Sequence, residues 1–367
     1  MSAHVTFQGF PVNHYGHLEP FGFDNFFSAQ FASISAPSLC PARVASDGKE
    51  TFELLGVPVH TSTLSGRLRF QAADGERPVV GDWVAVAVAG DHALIHHVLP
   101  RRTEIVRRAA GSQGRRHIVA ANVDHLFFVT SATGDFNVRR IERYLMLAFA
   151  SRARPVLVLN KADLVTDPQP LVTSLQAVAP GVDVHAVSAH AGRGLGALQA
   201  YLGCGQTVAM LGSSGVGKSS LINSLLGERW MPEAQVREGD GKGRHTTTHR
   251  QLVLRQQGGL LLDNPGLREV GLVRGQGVLD DVFVDVAREA LRCRFRDCRH
   301  RGEPGCAVEQ AVEEGRLDPG RFESHRRLED EIASATRRQT GAPAKRRWKS
   351  AHKAMRAFSK LNPKRES

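Results

Sequence analysis

The sequence predicts a multidomain α/β protein. An N-terminal β-barrel of the oligonucleotide-binding type precedes a central α/β domain on a mainly parallel sheet, and a C-terminal helical domain follows, closed around Cys/His ligands. Three observations carry this. Short alternating segments punctuated by turn pairs fill residues 38–116, the pattern of a small barrel or sandwich. From about residue 120 apolar, β-branched runs alternate with helical patterns, which marks a parallel sheet with helices on its faces. Beyond them, Cys293, Cys298 and Cys306 crowd together with His300.

The 367 residues carry 48 Lys+Arg against 37 Asp+Glu, a formal charge of +11. Apolar residues at 41% and charged residues at 23% exclude wholesale disorder and collagen-like repeats. A basic balance points to nucleic acid, but its location decides what that is worth. Residues 337–367 hold eleven Lys/Arg against one acid, Glu366, so this tail accounts for +10 and the rest of the chain is close to neutral. The tail reads as salt-dependent affinity for phosphate backbones. Five cysteines, two of them isolated (Cys40 and Cys204), do not make a disulfide scaffold and favour a metal site in a reducing compartment. No apolar run reaches the ~18 residues of a membrane span, and no basic segment followed by an apolar block resembles a secretory signal. A cytoplasmic monomer is expected.

The elements follow in order. Residues 1–37 hold seven of the 17 Phe without a helical or strand period, and read as a flexible Phe-rich arm, docked through its aromatics or without a role. In 38–116, alternation shows in Arg67-Leu68-Arg69-Phe70 and in Trp83–Val88, with turns at Asp47-Gly48, Asp74-Gly75, Gly81-Asp82 and Gly90-Asp91. Barrels of this kind bind RNA or serve as packing modules. Arg101, Arg102, Arg107, Arg108, Arg115 and Arg116 follow as an RNA-facing cluster or a solvated linker. In 117–271, strands are expected at Val123–Ser131, Pro155–Leu159, Val182–Val187, Thr207–Leu211, Leu252–Leu254 and Leu260–Leu262, with helices at Arg139–Ser151, Pro170–Val178 and Leu195–Leu202. Residues 272–336 are helical in tendency.

Gly212-Ser213-Ser214-Gly215-Val216-Gly217-Lys218-Ser219-Ser220 follows the strand at Thr207–Leu211 and opens a helix, the context a phosphate loop requires. Its glycines let backbone N–H groups turn onto phosphate oxygens, and the helix N-terminus adds partial positive charge. Lys218 reaches the β- and γ-phosphates, and the Ser219 hydroxyl can ligate Mg²⁺. Asp263-Asn264-Pro265-Gly266 ends another strand: Asp263 is placed to hold Mg²⁺ through water and the Gly266 N–H to sense a γ-phosphate. Asn160-Lys161-Ala162-Asp163 ends a third. The Asp163 carboxylate can accept from guanine N1–H and its 2-amino group, a donor pair adenine lacks; Lys161 can cover the base, and Ser188-Ala189 would offer an N–H to the guanine oxygen.

These motifs resemble those of a Ras-like GTPase in rotated order: Asn160–Asp163 and Ser188-Ala189 come first, then Gly212–Ser219, Thr246–Thr248 and Asp263–Gly266. That is a circular permutation, which adjacent termini permit. With a barrel before it and a Cys/His cluster after it, and with Gly81-Asp82-Trp83-Val84 and Ala120-Ala121-Asn122-Val123-Asp124 as shared phrases, the chain over about 38–336 resembles the ribosome small subunit-dependent GTPase A family (RsgA). The resemblance implies a GTPase that acts with the 30S subunit and its 16S rRNA late in maturation, stimulated by that subunit. Asn264 stands where Thr or Ser is commoner in the family.

Ras-like sites place a Gln after Asp-x-x-Gly to orient water; here it is Leu267, an apolar substitution the family shares. In Gly243-Arg244-His245-Thr246-Thr247-Thr248, Thr246 or Thr247 is the Mg²⁺-binding switch threonine, and His245 is the candidate to orient or deprotonate water, with His249 as competitor. His245, Lys218 and Thr247 form the expected catalytic set. Cys293-x4-Cys298-x-His300-x5-Cys306 gives three thiolates and an imidazole, a closed tetrahedral set for one structural Zn²⁺. Six arginines in 288–301 surround it, fit for an RNA backbone or for solvent. The permutation runs Gly266 through Val270–Leu279 directly into this module, so loss of the γ-phosphate would relax a segment tied to it. Two other readings compete: a non-enzymatic RNA-binding module with a vestigial phosphate loop, which intact Lys218, Ser219 and Asp163 oppose, and a two-metal nuclease, for which no ligand cluster is evident.

Overall fold

A computed structural model of the chain describes residues 15–34, 36–48, 50–59, 61–71, 77–108, 116–134, 136–227, 250–263 and 276–337. The chain divides into two compact units, residues 1–107 with 117–270, and residues 108–116 with 271–367.

The first unit begins with a 3-10 turn (Gly16–Phe21) and helix α1 (Asn25–Ala32). The expectation of a flexible arm over 1–37 is corrected over its described part. Asp24 caps α1, its carboxylate accepting the Phe26 and Phe27 amides at 3.0 and 3.4 Å. Leu18, Phe23 and Phe27 are buried in one cluster with Trp83, the Phe23 and Phe27 ring centroids 4.7 and 5.9 Å from the indole. So short a helix has too few positions to display a period, and its order comes from docking on a distant strand.

The barrel comprises β1 (Cys40–Asp47), β2 (Thr51–Leu55), β3 (Thr61–Leu64), helix α2 (Gly66–Gln71), β4 (Trp83–Ala89) and β5 (His92–Val98). Strand order is β1-β2-β3-β5-β4, with β4 closing back on β1 and β3 parallel to β5. This is the five-stranded closure expected of the oligonucleotide-binding type. Val44, Leu54, Val84, Val86 and Ile95 fill its interior. The run at Trp83–Val86 is buried on both faces because Val84 and Val86 point into the barrel while Trp83 and Ala85 lie under the N-terminal aromatics. The alternation in Arg67–Phe70 is helix α2, not a strand. Ser65 starts it, its carbonyl accepting the Arg69 amide at 2.9 Å and its hydroxyl the Leu68 amide at 3.5 Å. Four residues are too few to separate a period of 2 from one of 3.6.

A ribbon of β6 (Glu104–Arg108) and β7 (Arg116–Ala121) follows. Two of the six arginines expected to form a cluster here do structural work. Arg101 clamps buried Asp82 through Nε and Nη2, each at 2.7 Å. Arg102 pairs with Asp24 and covers the Phe26 and Phe27 rings at 5.1 Å.

The α/β part runs β8 (His125–Ser131), α3 (Val138–Ser151), β9 (Arg154–Asn160), α4 (Gln169–Val178), β10 (Asp183–Ala186), α5 (Leu195–Gln199), β11 (Thr207–Leu211), α6 (Lys218–Leu226), β12 (Gln251–Leu254) and β13 (Leu260–Asp263). Order in the sheet is β10-β9-β8-β11-β13-β12, parallel except for β12. β8 and β11 are buried along their whole length, as strands covered by helices on both faces must be. The sheet continues into the barrel. Gln251 of β12 is in register with Asp263 on one side and Ser46 of β1 on the other, and Arg250 lies 3.3 Å from Asp47.

The phrases around Gly81 and Asn122 knit the same two parts. Asn122 Nδ2 donates to the Gly81 carbonyl at 3.1 Å. Gly81 has φ +89°, and a Cβ there would sit 2.1 Å from the Ala121 oxygen, so only glycine fits. Buried Arg43 donates to the Gly81, Phe21 and Asn122 carbonyls at 3.2, 2.5 and 2.8 Å.

The second unit is helical, with α7 (Gln276–Val282), α8 (Val284–Ala290), α9 (Ala307–Glu313) and α10 (319–337). Phe283 is fully buried. Arg321 lies 4.8 Å over its ring, 2.5 Å from Asp285, and donates to the Val282 carbonyl at 2.9 Å. Residues 338–367, nearly all of the basic tail, lie outside the described residues. Among the described residues no helix is long and apolar enough to cross a membrane.

Candidate nucleotide site and metal centre

Three loops converge at the carboxyl ends of β9, β10 and β11, where open α/β sheets place their ligands. The phosphate loop leaves β11 at Gly212 (φ +157°), turns at Gly215 and Gly217 (φ +79° and +92°), and enters α6 at Lys218. A Cβ on Gly212 would lie 2.3 Å from the Val129 oxygen of β8. One on Gly217 would lie 2.3 Å from Asn160 Nδ2. Lys218 Nζ donates to the Gly212 and Ser213 carbonyls at 2.8 and 2.5 Å, across the mouth of the loop. Ser219 and Ser220 stand in the first turn of α6.

Asn160 ends β9, is 2% exposed, and braces the site. Its Nδ2 donates to the Val216 carbonyl at 2.9 Å and its Oδ1 accepts the Ala189 amide at 3.1 Å, so one side chain ties the phosphate loop to the Ser188-Ala189 loop. Lys161 adopts the left-handed conformation (φ +59°), which starts the short 3-10 turn Ala162–Leu164 and presents Asp163. A hydrogen bond from the Ser188 side chain lowers the Asp163 carboxyl from its ordinary value. Ser188 is itself fixed, buried and accepting the Ala191 amide at 3.0 Å.

Asp263 closes β13, its carboxyl pushed up to about 6 by burial, with Lys218 pulling the other way. That cost is what a cation beside it would relieve. The structure therefore brings Asn160, Lys161, Ala162, Asp163, Ser188, Ala189, the loop Gly212–Ser220 and Asp263 to the carboxyl end of the sheet. His245, Thr246, Thr247, Thr248, His249, Gly266 and Leu267 lie outside the described residues. One contact has no counterpart in the sequence motifs: Arg140, in the first turn of α3, donates from Nη1 to Ser213 Oγ. Asn137 caps that turn, and an Asn ahead of the amphipathic run is the one local sign of where it begins; nothing local marks its proximity to the loop.

In the second unit the donor atoms of Cys293, Cys298, His300 and Cys306 all lie within 4.8 Å of one another. His300 Nδ1 is 3.6, 3.5 and 3.3 Å from the three sulfurs. A tetrahedron with Zn–S near 2.3 Å and Zn–N near 2.0 Å spaces its donors by roughly 3.5–3.8 Å, so this set fits a metal ion. Two carboxylates that are not among these four donors shape the loop. Glu303 accepts the Arg299 and Arg301 amides at 3.1 and 2.6 Å, and Glu309 accepts the Gly302 amide at 2.8 Å. His300 sits at φ +57°, which turns its ring back onto the sulfurs. Around it Arg288, Arg292, Arg294, Arg296 and Arg299 are exposed, beside exposed Leu291 and Phe295.

Comparison with known proteins decides the family. The RsgA GTPase family model matches residues 98–273. The small ribosomal subunit biogenesis GTPase RsgA of Opitutus terrae is 42% identical over 363 residues, covering 94% of this chain and 98% of the relative. The chain belongs to the RsgA GTPase family. The RsgA of Methanosarcina acetivorans is 45% identical over 295 residues, 79% of each chain. Among solved structures, YjeQ from Thermotoga maritima superposes with a TM-score of 0.60 at 27% identity, covering 80% of this chain and 99% of that one. YloQ, a circularly permuted GTPase, shares the fold with a TM-score of 0.57 at 24% identity, covering 81% of this chain and 96% of that one. The permuted motif order of this chain is a fold shared with that structure.

Proposed function

We propose that this protein is a GTPase of small ribosomal subunit biogenesis, hydrolysing GTP to GDP and Pi while bound to the 30S particle and leaving after hydrolysis. The observation that carries the reading is the Asn160 brace, which joins the phosphate loop to the Ser188-Ala189 loop beside Asp163. That arrangement holds a phosphate site and a base site at the fixed spacing a guanine nucleotide requires. The names its relatives bear, small ribosomal subunit biogenesis GTPase, support the same conclusion.

In this reading Asp163 selects guanine and Lys161 covers the base. The loop amides and Lys218 hold the phosphates, and Ser219 with Asp263 holds Mg²⁺. Thr246 or Thr247 adds the switch ligand, Gly266 senses the γ-phosphate and His245 orients water. The Cys293, Cys298, His300, Cys306 set holds one structural Zn²⁺, favoured by its soft donors. When bound, that ion staples the loop that presents the exposed arginines to 16S rRNA. Ordering of the switch segments by the subunit supplies the rate, as activating partners do for other GTPases.

The deciding measurement is GTP and ATP turnover with and without purified small subunits. Turnover that is GTP-selective and rises ~10³-fold with the subunit is expected. RNA binding without nucleotide turnover would put the vestigial-loop reading ahead of this one.

A further inference from the structure

Helix α3 starts beside the phosphate loop for reasons set by the sheet. β8 pairs in parallel with β11, Phe128 opposite Leu211, and Gly212 presses against the Val129 carbonyl. The chain leaving the end of β8 therefore emerges next to the loop. Asn137 then caps α3, its Oδ1 accepting the Arg140 amide at 3.1 Å, which fixes the first turn with Arg140 in it. From there Arg140 reaches Ser213 Oγ, while the Ser213 carbonyl accepts from Lys218 Nζ. Two cations, from two different helices, meet at one residue of the loop. The neighbouring Arg139 is engaged elsewhere, 2.7 Å from buried Glu142.

We propose that Arg140 is a further catalytic residue of the hydrolysis, a cation supplied in cis to the transferred phosphoryl group. The proposal rests on the GTPase reading above. In the reaction the water oxygen bonds to the γ-phosphorus, the bond from that phosphorus to the β–γ bridging oxygen breaks, and its electron pair leaves with GDP. Pi departs, and the surplus proton of water goes to solvent. Negative charge accumulates on the bridging and β-oxygens as this happens, and protein catalysis consists largely of stabilising it. A guanidinium suits that role because it is always charged and presents parallel N–H groups to two oxygens. Its anchor, Ser213, belongs to the loop whose amides cradle those oxygens, so rotation about the outer side-chain bonds moves the group from hydroxyl to phosphate. Leu267 stands where a Ras-like site has its glutamine, so charge stabilisation carries a larger share of the barrier here.

The test uses the full-length protein and the variants Arg140→Ala and Arg140→Lys. GTP hydrolysis is followed under single-turnover conditions, together with the affinities for labelled GDP and for GDP–aluminium fluoride and the melting temperature. The alanine variant should hydrolyse GTP ~10²-fold more slowly, the usual loss for one charge-stabilising donor. It should keep its GDP affinity and melting temperature and lose GDP–aluminium fluoride binding. Lysine, a point charge without the fork, should recover part of the rate. An unchanged rate would overturn the proposal. So would rate and GDP affinity falling by the same factor, because Arg140 would then only hold the loop through Ser213. Absence of turnover in the unaltered protein even with small subunits present would sink the GTPase reading itself and this proposal with it.

Discussion

Replacing Asn160 by alanine removes a brace, and its cost can be worked from the geometry. The side chain is 2% exposed and makes two hydrogen bonds, at 2.9 Å to Val216 and 3.1 Å to Ala189. Each contributes about 0.5–1.5 kcal/mol net, and a freed backbone group that stays buried costs more. The two together come to about 2 kcal/mol, which is roughly thirtyfold in affinity. Because the brace positions both the loop under the phosphates and the loop beside the base, GDP and GTP should weaken by the same factor. Asn160→Asp keeps the acceptor for Ala189 but sets a second acceptor against the Val216 carbonyl, so it should do no better than alanine. Fluorescence titration with labelled GDP and GTP measures both. Binding by either variant within about twofold of the original, or a loss confined to GTP, would refute the argument.

Other consequences are equally direct. Gly217→Ala forces a Cβ at φ +92° to within 2.3 Å of Asn160 Nδ2; urea unfolding should show a loss of at least ~1–2 kcal/mol from the backbone alone, and GDP binding should fall. Asp263, at about 6 when folded against roughly 3.9 unfolded, is a raised carboxyl. Its stabilising contribution is present below about pH 4 and is lost as pH rises through about 6. In nucleotide-free protein, Asp263→Asn should therefore melt at nearly the wild-type temperature at pH 4 and above it at pH 7–8; a pH-independent difference would refute the burial argument. Phe27→Ala deletes a buried ring against Trp83 and should cost about 3 kcal/mol in urea unfolding. Stripping metal with a chelator should expose 276–337 to protease while GDP binding persists, and elemental analysis should return one Zn²⁺ per chain before treatment.

What the sequence made legible, and what it hid, divides by range of interaction. The phosphate loop, the Asn160–Asp163 tetrad and the Cys/His cluster were readable because each is a local spacing with a local purpose. The strands of the parallel sheet were readable because burial on both faces makes them continuously apolar. Phe23 and Phe27 stood out only as part of a Phe-rich arm that could dock or have no role, because their partner, Trp83, lies more than fifty residues on and no period records such a contact. Arg101 and Arg102 looked like an RNA-facing pair, but Asp82 and Asp24 neutralise them in space. Helix α2 was hidden by a run too short for either period. Arg140 was invisible as a site residue because 73 positions separate it from Ser213.

The rung Asp263–Gln251–Ser46 also bears on how the chain can be cut. An antiparallel strand at the end of a sheet offers its unpaired N–H and C=O groups to any passing strand. Here β12 is that strand, and β1 pairs with it at its first residue, Gln251. A fragment starting at 117, chosen to isolate the nucleotide site, would strip off β1 and leave Gln251–Leu254 bare, with Leu254 already partly exposed. Such a fragment should self-associate through this edge. Residues 1–116 would then guard this edge against pairing, as well as forming a barrel in their own right.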